Sequence, residues 1–325
     1  MNIPRRQFLR LAAGAAALPV ALRGASAQDY PTRPVRLIVG QTAGGAQDIA
    51  ARLMAQVLSE RIGHPFVVEN KPGAGTNIAA ETVTRAPADG YTLLLVGAPN
   101  AINATLYENL NFNFMRDITP VASFIRTPEV LVVHPSVPTN TVREFIAHAK
   151  RKPGAISMAS PGIGSGPHMS GELLMLMAGI QLTHVPYRGG GQAISDLVGG
   201  QVQATFIAPV VATQHIRAGK LRALAVTTAS RSHILPDVPA MTEVLPGYES
   251  GGFFGIGAPV NTPSQIIDRL NKTINAALED APMKARINDM GASALPGSPA
   301  AFGHLIAEQT DKWAKVIKFA GIKAS

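Results

Sequence analysis

Short β-rich runs alternate with helix-patterned segments from Val35 onward, and this alternation constrains the fold more than any other feature. Val35-Arg36-Leu37-Ile38-Val39 reads as a buried strand. A helix is predicted from about Asp48. Ile49, Leu53 and Val57 form one stripe with Met54, Leu58 and Ile62 beside it, and Gly63 stands where a C-terminal cap belongs. Phe66–Glu69 is a second strand, followed by a glycine turn at Gly73–Gly75, a helix from about Asn77 to Arg85, and a third strand at Thr92–Val96. Beyond Pro128 the pattern resumes. Strands are predicted at Val130–Val133, Ile156–Ala159, Leu182–Val185, Ala204–Ile207 and Leu221–Val226, with helices near 141–151, 167–178, 191–199 and 210–218. Such alternation implies parallel sheet covered by helices, an α/β architecture.

At 325 residues the chain suits two domains of about 150 residues each. No low-complexity linker or internal repeat separates them, so the expectation is two interwoven lobes with the chain crossing between them near 121–130 and 250–258. The division is then residues 28–127 for the first part of lobe one, 128–252 for lobe two, and 253–325 returning to lobe one. Helices near 263–279, 282–290 and 299–320 make up that return. A cleft between the lobes is the natural ligand site.

Charge and composition exclude several function classes. Charged residues are 15% and hydrophobic ones 46%, which is incompatible with a mainly disordered chain. The absence of Cys removes disulfides, thiol nucleophiles and cysteine-ligated metals. A net charge of +8 suggests nucleic acid until it is divided along the chain. Arg5, Arg6, Arg10 and Arg23 lie in the first 27 residues, which carry no acid, and the remainder holds 25 bases against 21 acids. With 5% aromatics and no block of like charge, no nucleic-acid partner is expected.

The first 27 residues read as an export signal. Arg5-Arg6 precede an apolar run, Leu11 to Leu22, too short for the roughly 20 residues that span a bilayer. Ala25-Ser26-Ala27 fits a small-residue cleavage site, which places the mature N-terminus at Gln28. Arg5-Arg6-Gln7-Phe8-Leu9-Arg10 further resembles a twin-arginine signal, with an ordinary secretory signal as the alternative. Either way the mature chain is expected to be soluble in a bacterial periplasm.

Catalytic signatures are lacking. Ser165 has Ile163 and Pro167 where a nucleophile elbow requires glycines, no Ser-x-x-Lys occurs, and no two His are four apart. Neither Gly219-Lys220 nor Gly162-Ile163-Gly164 completes a nucleotide-binding fingerprint. The chain is therefore read as a non-enzyme without metal or cofactor; a periplasmic hydrolase is the disfavoured enzymatic alternative.

Two strand-to-helix loops offer a binding site instead. Ala43-Gly44-Gly45-Ala46-Gln47-Asp48 precedes the first helix, and Ser160-Pro161-Gly162-Ile163-Gly164-Ser165-Gly166-Pro167-His168 precedes one in lobe two. Small residues there let backbone N–H groups approach a ligand at a helix N-terminus, where the dipole favours an anion. Each candidate also has a plainer explanation. Strand–helix turns need glycine anyway, Asp48 and Asn77 serve equally as helix caps, and His168 is either a carboxylate donor or a hydrogen-bonded structural residue. Arg188, in Tyr187-Arg188-Gly189, is either a carboxylate partner or solvent-facing.

These stretches carry a family resemblance. Ala43-Gly44-Gly45 with Asp48, Val67-Val68-Glu69-Asn70-Lys71-Pro72-Gly73-Ala74-Gly75 and Asp89-Gly90-Tyr91-Thr92-Leu93-Leu94 are joined by Ala159 to Ser165 plus His168. His184-Val185-Pro186-Tyr187-Arg188-Gly189, Asp196 to Val202, Gly219 to Thr227 and Leu235-Pro236-Asp237-Val238-Pro239 complete the ordered series. The chain resembles the substrate-binding proteins of tripartite tricarboxylate transporters, also called the Bug or TctC family. The resemblance implies a type II periplasmic binding-protein fold that captures a small carboxylate by lobe closure. It places the ligand between Gly44, Gly45, Asp48 and Asn77 on one side and Gly164, Ser165, Gly166 and His168 on the other, with Tyr187 and Gly189 nearby. It implies delivery to integral-membrane transporter subunits by a monomer. The ligand is left open among di- and tricarboxylates, amino acids and aromatic acids. Where the family usually has Pro, and often Phe, this chain has Gln41-Thr42, adding polar groups beside the first loop. A ligand sensor presenting a carboxylate to a membrane sensor kinase is the alternative use of the same cleft.

Overall fold

The computed structural model describes residues 30–187, 190–232 and 234–323, so the predicted export signal, Arg188 and Gly189 lie outside the described residues. The first sheet has six strands, β1 (Val35–Val39), β2 (Phe66–Asn70), β3 (Thr92–Gly97), β4 (Ile118–Thr127), β10 (Gly252–Pro259) and β11 (Ser293–Ala294), in the order β11-β4-β10-β3-β1-β2. The second contains β5 (Val130–Val133), β6 (Ser157–Ser160), β7 (Thr183–Pro186), β8 (Ala204–Ile207) and β9 (Arg222–Val226), in the order β7-β6-β8-β5-β9.

The parallel sheet predicted from the alternation is present only in part, because both sheets are mixed. β1 pairs parallel with β2 and β3, but β10 runs antiparallel to both β3 and β4. In the second sheet β6 is parallel to β7 and β8, while β5 is antiparallel to β8 and β9. The antiparallel members lie where the chain passes between sheets. It leaves β4 at Thr127 and enters β5 at Val130, then returns into β10 after Val226. The regions read as crossings are thus largely strands. β10 carries register shifts at Phe254/Gly255 and Ile256/Gly257. A Cβ on Gly255 would stand 2.2 Å from the Phe302 ring, so that residue has to be glycine for the ring to pack.

The helices follow from the apolar periodicity. They are α1 (Ala46–Ile62), α2 (Asn77–Thr84), α3 (Ala98–Leu106), the single turn α4 (Phe114–Asp117), α5 (Val142–Arg151), α6 (Gly166–Ala178), α7 (Gly190–Val198), α8 (Pro209–Arg217), α9 (Ser264–Leu278), α10 (Ala281–Asp289) and α11 (Pro299–Ala320). Strand alternation sends Leu37, Val39, Leu93 and Leu95 to one face of the first sheet, under α1, α9 and α10. Ile38, Leu94 and Val96 face the other way, toward α2 and α3. That second core is continuous with Leu131, Val133, Phe145 and Leu174 of the other sheet and its helices. α11 spans the join, packing on α3, β4 and α6 with Phe302 and Trp313 fully buried. Each such aromatic contributes roughly 2–3 kcal/mol by burial.

Candidate functional site

Crevices in α/β sheets open at the carboxyl ends of neighbouring strands whose following helices lie on opposite faces. This chain has two. After β1 the chain goes to α1 on one face, and after β3 it goes to α3 on the other. In the second sheet α6 follows β6 over the face of Met158, while α8 follows β8 over the face of Ala159. The two predicted glycine loops are the β1–α1 and β6–α6 connections, one at each crevice. The second loop also packs on the first lobe: a Cβ on Gly164 would sit 2.5 Å from Cδ2 of Leu106, the last residue of α3. Gly164 also has φ +75°, so the loop can lie against α3 only with glycine there.

The first loop is tied by charge. Asp48 is buried, and its carboxylate accepts from Arg52 Nε, Gly44 N and Asn70 Nδ2, each at 2.9 Å. The bond from Arg52 leads, followed by those from Gly44 and Asn70, and together they hold the carboxyl down at about 2 against the opposing effect of burial. Asp48 is the third helical residue, and the cap position is Gly45. Asn70 Nδ2 also donates to Gln41 O at 2.9 Å, and Gly45 N to Thr42 O at 3.3 Å. Gln47 N–H reaches Gln41 Oε1 at 3.4 Å, so Gln41 lays its amide over the first turn of α1.

Beside it, Gly73, Ala74, Gly75 and Thr76 have φ of +130°, +45°, +61° and +85° and deliver the chain into α2 at Asn77. Left-handed Ala and Thr cost of order 1–3 kcal/mol each and persist only where surrounding structure fixes them. α3 supplies that structure. Asn103 Nδ2 donates to Gly75 O at 2.5 Å and to Asn77 Oδ1 at 3.0 Å, and Asn100 bonds Gly97 N at 2.9 Å and Thr76 Oγ1 at 3.4 Å. Two buried polar atoms of this half have no partner among the described residues, Asn77 Nδ2 and Gln47 Oε1.

The second loop is tied by hydroxyl and imidazole groups, with carboxyls behind them. Ser165 caps α6, accepting from His168 N at 3.4 Å while donating to Gly162 O at 2.7 Å. Gly164 N donates to His168 Nδ1 at 3.1 Å, which leaves the ring proton on Nε2, 3.2 Å from Glu172 Oε1. Both nitrogens of this buried ring are therefore engaged. His168 stacks on His184 at 3.8 Å, and His184 Nε2 meets Ser160 Oγ at 2.6 Å. Burial, and secondarily the neighbouring His168, push His184 down to about 4. Under the first turn of α6 lies Glu129, a buried acid whose Oε2 accepts from Ser170 Oγ at 2.5 Å. Burial pushes it up to about 7, against the smaller lowering effect of Ser170.

The structure thus gathers Gly44, Gly45, Asp48 and Asn77 at the first crevice and Gly164, Ser165, Gly166 and His168 at the second. Tyr187 stands at the end of β7 with its hydroxyl donated to Asp196 Oδ2 at 2.8 Å. Asn100, Asn103, Glu129 and His184 were not among the expected site residues. The i, i+3 asparagines after Pro99 and the lone acid heading Val130–Val133 were the available signals. Among the described residues no three metal-ligating side chains converge, and no helix is long and apolar enough to cross a membrane.

Two mixed α/β sheets joined by crossing strands are the fold of a periplasmic binding protein. The family model described as "Tripartite tricarboxylate transporter family receptor" matches residues 50–322, and the chain belongs to that family. It is 36% identical over 301 residues to protein BugT of Bordetella pertussis, covering 92% of each chain. Among solved structures it is similar to "R. palustris Rpa4515 with adipate", with 37% identity, TM-score 0.82, and coverage of 91% of this chain and 99% of that one. It is also similar to MatC (Rpa3494) from Rhodopseudomonas palustris with bound malate, with 31% identity, TM-score 0.78, and coverage of 89% and 100%. The resemblance drawn from the sequence and the periplasmic binding-protein fold it implied are both correct.

Proposed function

We propose that the chain captures a small dicarboxylate between its two glycine loops and hands it to integral-membrane subunits of a tripartite tricarboxylate transporter. The observation that supports this is that each sheet carries a glycine loop at a helix N-terminus beside a strand-end crevice, and that the second loop packs, through Gly164, on Leu106 of α3 in the first lobe. Asn77 Nδ2 adds a buried donor suited to an anion. The adipate and malate held by relatives give the ligand class. In this reading Gly44, Gly45, Asn77, Ser165 and Gly166 line the ligand, with Tyr187 and Gly189 at its edge. Asp48 and His168, whose polar atoms are engaged within their loops, set the loop shapes.

Closure moves residues 128–252 against 28–127 and 253–325, and the ligand stabilises the closed form by its preference for it. Residues 1–27 direct export, and the mature chain, beginning at Gln28, works as a periplasmic monomer. Two experiments test this. Ser165→Trp, which places an indole between the loops, is expected to abolish dicarboxylate binding with the fold intact by circular dichroism; unchanged affinity would put the site elsewhere. Cells lacking the chain should lose dicarboxylate uptake, and Ser165→Trp should fail to restore it.

A further inference from the structure

Glu129 is the one buried acid among the described residues that forms no ion pair there, and it sits where the chain passes between sheets. A ring of buried hydrogen bonds runs through it. Glu129 N–H donates to Thr227 Oγ1 at 2.9 Å, and its carbonyl receives Thr227 N–H at 2.9 Å, which joins the outgoing and returning segments. Thr227 O receives Ser250 N at 3.1 Å, and Ser250 Oγ donates to Tyr248 OH at 3.2 Å. Tyr248 OH donates to Ser170 O at 2.8 Å, and Ser170 Oγ closes the ring on Glu129 Oε2 at 2.5 Å. The other carboxyl oxygen lies under Gly166, where a Cβ would stand 2.9 Å from Oε1. The side chain therefore touches the same first turn of α6 that the proposed function gives to the ligand.

We propose that Glu129 is a positioning residue that makes carboxylate capture proton-linked, the cleft taking its anion most tightly when Glu129 carries a proton. A helix N-terminus offers about half a positive charge, and an ionised Glu129 within the first turn of α6 would use it and repel a second carboxylate across a poorly screened interior. With its proton, the carboxyl is neutral and leaves the helix end to the ligand. Linkage then requires that binding favour protonation of Glu129 and that affinity fall as pH rises through the neutral range. The surrounding charges do not substitute for this. On α6, His168 and Glu172 bond to each other, and on the return segment Tyr248 faces Glu129 with its phenol raised, mainly by burial. Glu249 pairs with Arg126 of β4 at 2.7 Å.

The test is calorimetric titration of the full mature chain with adipate, malate, succinate and benzoate between pH 5.5 and 8.5, in buffers of differing ionisation enthalpy. The inference rests on the carboxylate-binding reading. Binding of none of the four at pH 6 would overturn that reading and the inference with it. For the wild type, affinity is expected to fall toward tenfold per pH unit above neutrality, with uptake of up to one proton on binding. Glu129→Gln, which keeps the neutral carboxyl's shape, should bind with flat affinity and no such uptake. Ser170→Ala removes the bond that favours the ionised form, so its pH midpoint should move upward; this readout remains if Glu129→Gln fails to fold. Carboxylate binding with pH-independent affinity, or the same proton uptake in Glu129→Gln, would overturn the inference alone.

Discussion

The two halves of the proposed cleft use one backbone device and different chemistry to hold it. Each is a glycine loop feeding a helix N-terminus at the end of a parallel strand. The β1–α1 loop is fixed by an ionised carboxylate, with Asp48 held at about 2 by Arg52 first, then by Gly44 and Asn70. The β6–α6 loop is fixed by hydroxyl, imidazole and buried carboxyl groups, with His184 pushed down to about 4 and Glu129 up to about 7. Near neutral pH the first half is therefore inert to protons and the second is not. A charge anchors a loop cheaply where Arg52 can stay half in water, whereas the second loop is pressed between α3 and Glu129, where an unpaired charge is costly.

This contrast can be broken in order of expected effect. Gly164→Val should be the most damaging, because it combines a disfavoured positive φ with overlap against Leu106. A loss of dicarboxylate affinity of about 100-fold or more is expected by calorimetry, whereas a loss under threefold would mean α3 does not brace the loop. Asp48→Ala comes next. It strips acceptors from Gly44 N–H and Asn70, and chemical denaturation should register a loss of about 2–4 kcal/mol. Asp48→Asn keeps acceptor geometry in part and should lose less.

The two halves also differ in how stability should respond to pH. His184 has a folded pKa below its ordinary 6.5, so its contribution weakens stability as pH falls from 6.5 toward about 4. Its size is on the order of 2 kcal/mol after allowance for partial exposure. Glu129 has a folded pKa above its ordinary 4.5, so its contribution is fullest below 4.5 and is lost as pH rises toward about 7. The two oppose each other between pH 4.5 and 6.5. Removing one should expose the other: Glu129→Gln should make stability climb with pH across that window, and a profile matching wild type would contradict the assignment. Ser165→Ala, the smallest change, should cost about 1 kcal/mol by loss of the α6 cap.

The same contrast explains what could be read in the sequence. Both loops were legible because β1, α1, β6 and α6 show short-range periodicity with glycine between them, and α1 begins two residues before the predicted Asp48. β4 and β10, read only as crossings near 121–130 and 250–258, carry Pro120 and several glycines that weaken any local strand signal; partners more than 100 residues away make them strands anyway. α3 was missed because Asn100 and Asn103 break the apolar stripe, yet they are buried on the strained turn at Thr76. Glu129 looks like an ordinary acid before a strand until Ser170 and Tyr248 arrive from distant segments.

The most direct test of the central claim is a thermal-shift measurement of the mature chain, stripped of ligand by unfolding and refolding, with adipate, malate and the neutral diamide of adipic acid. Ligand at 100 times Kd adds about 2.7 kcal/mol, which is on the order of 5 °C for a chain of this size. Such a rise is expected with a dicarboxylate and none with the diamide. No rise with any carboxylate, or an equal rise with the diamide, would contradict carboxylate capture between the two loops.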